Sequence, residues 1–190
     1  MESLQAEELE FKEDIFFGQV IIIWARWFVI LGIAAAILLN VKEPRDLVIG
    51  LIPIVVLMLM NFAVHGSYLM ERPVGQTLIF ITSAVDLIIV SVMVGLDQIG
   101  QGFGSQLFVF YYPQVLAFAF VMRRQWAIGY TALTLLVYLL ICLFSPGSQI
   151  EWREMFVRLL TLGGIGGLGS YYWRIMRSRR RAALAGDNTR

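Results

Sequence analysis

Long apolar runs separated by short polar breaks dominate this chain. The runs occupy residues 18–40, 47–69, 74–96, 104–122, 126–144 and 155–176. A helix crosses the hydrocarbon core of a bilayer in about 20 mostly apolar residues, so each run predicts one transmembrane helix. The breaks read VKEPRD, MERP, DQIGQGFG, RRQ and SPGSQIEWRE, with Pro44, Pro73 and Pro146 placed where a helix should start or stop. Connections this short make consecutive helices antiparallel neighbours. The runs are continuous rather than alternating, which argues against the strands of a β-barrel. The expectation is an all-α membrane protein: a short acidic segment over 1–17, a six-helix transmembrane bundle over 18–176 and a basic tail over 177–190. Gly102, Phe103 and Gly104 leave the start of the fourth span soft.

Composition strengthens the membrane assignment. Of 190 residues, 58% are hydrophobic and 15% charged, with a mean hydropathy of +0.73. A soluble domain carries about 25% charged residues, so the surplus apolar surface has the lipid bilayer as its natural solvent. The single cysteine, Cys142, lies in an apolar run and precludes an intramolecular disulfide. The start, MESLQAEELEFKED, is acidic where a cleavable signal needs basic residues. Its apolar positions Leu4, Phe11 and Ile15 make a partial helical stripe, read as a short solvated helix or as a docking helix for a partner.

Charge placement predicts orientation. With the N-terminus inside, cytoplasmic segments hold Lys12, Arg72, Arg123, Arg124, Arg177, Arg179, Arg180, Arg181 and Arg190, while outer loops hold Lys42, Arg45 and Arg153. This bias is the one that sides membrane loops, and it places both termini in the cytoplasm of a cell with the chain in its inner (plasma) membrane. The run Arg177, Arg179, Arg180 and Arg181 reads as a topology determinant on anionic lipid. It hugs the membrane and continues into neutral residues, so no nucleic-acid partner is expected.

Ionisable and amide side chains at bilayer depth are the candidate site. Counting from the cytoplasmic side at 1.5 Å per residue, Arg26 lies roughly 10–12 Å deep and Asp86 roughly 16–18 Å deep. Asn61 falls near the depth of Arg26, and Gln114 near the midplane beside Tyr112 and Pro113. Arg26, Asn61, Asp86 and Gln114 could therefore converge as one polar cluster, structural or ligand-binding. Alternatively Arg26 snorkels to the interface between Trp24 and Trp27 while Asp86 bonds elsewhere. Arg158 and Arg174 read as interface anchors. In TLGGIGGLGSYYW, Gly163, Gly167 and Ser170 fall at helical spacing and predict a helix-packing face.

Catalytic chemistry is not signalled. One histidine, His65, rules out a bis-histidine haem within a chain, and no HExxH, CxxC or paired carboxylate occurs on a span. No enzyme activity, metal or other cofactor is expected. Aromatic residues form 13% of the chain and suit interfacial belts and core packing, or a pocket for a quinone, carotenoid or lipid.

Several segments taken in series carry a resemblance: ARWFVILG in the first span, MNFAVHGSYL closing the second, AVDLIIVSVMVGL in the third, and FVFYYPQVLAFAFVMRRQWAIGYTALTLLVYLLI across the fourth and fifth. Together they resemble the six-span membrane sensor domains at the N-termini of bacterial histidine kinases, over about residues 18–181. Arg26–Trp27, Asn61, Asp86 and Pro113 stand where that family has an Arg-aromatic pair, an Asn, an Asp and a Pro. In such kinases the sixth helix continues into phosphoacceptor and ATP-binding domains, whereas here YYWRIMRSRRRAALAGDNTR follows. The resemblance implies an input module for signal transduction, acting through a protein partner or a homo-oligomer. An accessory subunit of a respiratory or photosynthetic complex, and a small transporter or channel, stay open beside it.

Overall fold

The computed structural model describes residues 2–40, 44–72, 74–96, 105–144 and 152–187. Helices account for almost all of them: α1 (Glu2–Asn40), α2 (Pro44–Leu69), α3 (Gln76–Leu96), a 3₁₀ segment (Gln106–Phe110), α4 (Tyr111–Val121), α5 (Arg124–Phe144) and α6 (Trp152–Asp187). No strand occurs among the described residues. Pro44 opens α2, where a missing N–H leaves no helical bond unmade. Pro73, Pro146 and the predicted outer loop 97–104 lie outside the described residues.

Among the described residues four segments are long and apolar enough to cross a bilayer: Gly18–Leu39, Leu47–Leu69, Gln76–Leu96 and Arg124–Phe144. Large apolar side chains such as Leu31, Leu59, Ile88, Leu136 and Phe144 stand exposed along them, as lipid-facing residues do. The predicted fourth span is shorter, comprising the 3₁₀ segment and α4. The sixth forms a long helix whose glycines, tyrosines and arginines dilute its apolarity.

The short α4 is the centre of the bundle. It packs against α1, α3, α5 and α6, and Tyr111, Gln114, Val115, Ala117, Phe118, Ala119 and Val121 are buried. The 3₁₀ segment that leads into it is less enclosed, with Phe110 buried and Gln106 and Val109 exposed. Ser105 caps that turn, its hydroxyl accepting from the Leu107 N–H at 3.1 Å. Pro113 lies in the first turn of α4 rather than kinking a continuous span, so its missing N–H costs little.

Side-chain contacts fix the direction of each helix. At one end Phe80 meets Phe118 and Trp126, Gly18 lies under Val121, and Gly169 lies under Ala119. At the other end Gly32 lies under Phe110, Tyr138 meets Tyr111, and Arg158 reaches Ser105. The start of α1, the α2–α3 turn, the α4–α5 turn and the last turns of α6 therefore share one end. The backbone of residues 2–17 continues α1 as helix, and that of 177–187 continues α6. The side chains of Lys12, Arg174, Arg177, Arg179, Arg180 and Arg181 lie outside the described set.

α2 closes with a Schellman arrangement. Arg72 N–H donates to Ser67 C=O at 3.0 Å, and Glu71 N–H to Tyr68 C=O at 3.0 Å. That geometry needs a left-handed residue, here Glu71 at φ 55°.

The glycines of α6 differ in what surrounds them within the chain. A side chain at Gly166 would collide with Thr131, and a Cβ at Gly169 would stand 3.0 Å from Ala119. At Gly163 the nearest atom, on Leu135, would lie at an ordinary 3.8 Å, and at Gly167 nothing lies within 4 Å. Ser170 is buried and donates to Gly166 C=O at 2.8 Å. Within the chain the close helix approach is thus at Gly166 and Gly169. Arg158 turns inward on the same face as Leu162, Gly166 and Gly169, and this sets the rotation of the helix.

Candidate functional site

The buried positions of α1 are Gln19, Ile22, Ile23, Arg26, Val29, Ile30 and Ile33. Their spacing of three and four residues makes one stripe, and Arg26 lies inside it. Trp24 and Phe28 face outward. Arg26 is 3% exposed, so the snorkelling alternative does not hold in this bundle. On α3 the stripe is Ile79, Thr82, Ser83, Asp86, Leu87, Val90, Ser91 and Val94, with Asp86 near its middle.

The two charges meet. Arg26 Nε donates to Asp86 Oδ2 at 2.7 Å and to Oδ1 at 3.0 Å. Both side chains are buried from bulk solvent, so each is the other's main compensation, strengthened by the low local dielectric. Gln114 Nε2 on α4 donates to the backbone carbonyl of Asp86 at 3.1 Å. One turn away, the Tyr130 hydroxyl on α5 donates to Ser83 C=O at 3.0 Å. Side chains from α1, α4 and α5 thus hold α3 over a single turn.

Asn61 stands slightly apart from the predicted cluster. It is fully buried, and its Nδ2 donates to Ile23 C=O on α1 at 3.4 Å. It joins α2 to α1 within a turn of Arg26 without a hydrogen bond to Arg26 itself. Trp27 and Phe62, edge to face at 5.9 Å, reinforce the same helix pair.

Three features were not anticipated from the residues. Gln19 is completely buried, and neither amide atom has a hydrogen-bond partner among the described residues. The available signal was its position seven residues before Arg26, two helical turns along the same face. Ser91 and Tyr111 share a hydrogen bond of 2.9 Å between α3 and α4. Arg158 is more than an interface anchor: it donates to Ser105 C=O and to the Tyr138 hydroxyl, each at 3.2 Å. Its guanidinium also lies 4.3 Å from the Phe108 ring centroid, and Glu154 pairs with it at 3.6 Å.

Aromatic residues of the 3₁₀ segment and α4 pack against their neighbours. Phe118 stacks on Tyr130 at 4.2 Å between centroids, and Phe108 meets Tyr112 and Tyr138. An apolar groove of about 680 Å³ runs between α3 and α5 past Ala84, Ile88, Ser91, Gly95, Val137 and Ile141. Beside the ion pair lies a much smaller cavity of about 20 Å³. No cluster of three or more metal-ligating His, Cys, Asp or Glu side chains occurs among the described residues.

Comparison with protein-family models, with curated proteins and with solved structures finds no match. The geometry of the chain itself therefore carries the functional argument.

Proposed function

We propose that this chain is a six-span, non-catalytic module of the inner membrane, N-in and C-in, that senses or relays a signal through a protein partner. One observation carries the reading. α1 and α6 leave the same end of the bundle as unbroken helices, and α1 is fastened inside the bundle by its buried pair with Asp86. A change at that pair moves a rigid helix, and the motion appears at the end where a partner can meet both helices.

Six spans are supported by length. The 3₁₀ segment and α4 together rise about 26 Å, close to the thickness of the hydrocarbon core. The orientation is supported by Arg72, Arg123 and Arg124, exposed at the end where α1 enters, against Arg153 exposed at the other. The likeness of Arg26, Asn61, Asp86 and Pro113 to the kinase sensor pattern agrees with an input role. A neighbouring subunit as the partner is favoured by the outer face of α6, where Gly164 and Gly167 are open and Leu160, Leu168 and Tyr171 are exposed. The cavity of about 20 Å³ beside the ion pair is too small to give much support to a transport path.

Affinity purification from native membranes in mild detergent tests the partner. A stoichiometric second protein, cross-linked through residues 2–17 or 177–187, is the expected result. A lone chain with no reproducible partner overturns the reading. Orientation is read from single cysteines on a Cys142→Ala background. Arg72→Cys and Arg124→Cys should resist an impermeant thiol reagent on intact cells, and Trp152→Cys should react. The opposite pattern removes the N-in, C-in topology.

A further inference from the structure

The ion pair leaves part of Arg26 unused. Both carboxylate oxygens of Asp86 accept from Nε alone, and Nη1 and Nη2 have no partner among the described residues. Gln114 is in the complementary position: its Nε2 is engaged with Asp86 C=O, and its Oε1 is buried and unpartnered. Arg26 is 3% and Gln114 8% exposed. Both line the cavity of about 20 Å³, together with Ser83, Asp86, Phe118 and Tyr130.

We propose that this cavity is a binding site for one internal water molecule, which accepts from the Arg26 Nη groups and donates to Gln114 Oε1. Size and chemistry both select it. One water needs roughly 10–15 Å³ of such space and two to four polar partners. The walls offer donors from the guanidinium and acceptors from the amide and carboxylate. A halide would face the Asp86 carboxylate and Gln114 Oε1, and an ammonium ion would face the guanidinium. An apolar atom would leave every orphaned group unsatisfied. Water, a neutral molecule of one heavy atom that both donates and accepts, meets all of these conditions.

The water has a structural consequence. Arg26 joins α1 to α3, and Gln114 joins α4 to α3, but no direct side-chain bond links Arg26 to Gln114. The water closes that gap and turns two separate ties into a ring of three helices. The inference goes beyond the signalling role above and is independent of the partner experiment.

Infrared spectra of the chain in lipid nanodiscs, in H₂¹⁶O and H₂¹⁸O, test the proposal. The expected result is an isotope-shifted O–H stretching band of an internal water, lost in Gln114→Met. A wild-type spectrum without such a band, or a band unchanged in Gln114→Met, overturns it. Should the variant fail to fold, an experimental map of the wild type that resolves ordered solvent decides. A single peak within hydrogen-bond range of Arg26 Nη and Gln114 Oε1 supports the site, and a dry cavity refutes it.

Discussion

Arg26 Nε stands 2.7 Å from Asp86 Oδ2, and the two residues are 60 positions apart in the chain. The pair ties the first helix to the third, which do not follow each other in sequence. Its stability depends on both members being present.

Removing one member alone should be far worse than removing both. Asp86→Ala leaves a buried guanidinium without compensation, a loss of about 3–5 kcal/mol for pairs of this kind. The double variant Arg26→Met with Asp86→Leu should recover most of that loss, since apolar replacement of a buried pair is often close to neutral. Unfolding in detergent micelles measures the cycle. Simple additivity of the two single losses would contradict the pairing.

Among the α6 glycines, position matters more than residue type. Gly166→Leu should destabilise by about 1–3 kcal/mol or more through overpacking against Thr131. Gly167→Ala meets open space and should be neutral or up to about 1 kcal/mol stabilising from helix propensity. Thermal unfolding of the two variants side by side gives the comparison, and equal effects would move the packing face.

Glu71 holds a backbone conformation that disfavours a side chain. Glu71→Gly keeps the Schellman bonds of α2 and relieves a left-handed residue, a strain of roughly 1–2 kcal/mol. A higher melting temperature is expected; a fall would show that the Glu71 side chain does something at this turn.

Arg158 gathers α6, α5 and the 3₁₀ segment at one end of the bundle. Arg158→Ala removes its bonds to Ser105 and Tyr138 and its contact with Phe108. Amide exchange over residues 105–110 should quicken, while exchange around Asp86 stays near the wild-type rate. Tyr130→Phe removes a single bond to Ser83 and should cost only about 0.6 kcal/mol, the average for such bonds between membrane helices.

The sequence by itself determined the all-helical class and the apolar segments, and gave each polar residue an expected depth. Run lengths located α2, α3 and α5 and the end of α1 to within a few residues, while α1 begins sixteen residues before its apolar run; a fixed rise per residue put Arg26 and Asp86 at heights that one side chain can bridge. What it left open was rotation about each helix axis. A soluble helix marks its inner face with an apolar stripe, but lipid is as apolar as a protein core, so these helices show no such contrast. Gly163–Gly167 and Gly166–Ser170 are therefore equal candidates until Arg158 fixes α6. For the same reason the burial of Gln19 gave no signal along the chain, and Asn61 looked like a partner of Arg26. Only the tertiary packing set α4 at the centre, turned Arg26 toward Asp86 rather than lipid, and gave Asn61 to the backbone of α1. Depth is written along the chain, whereas facing depends on neighbours that the chain cannot name in advance.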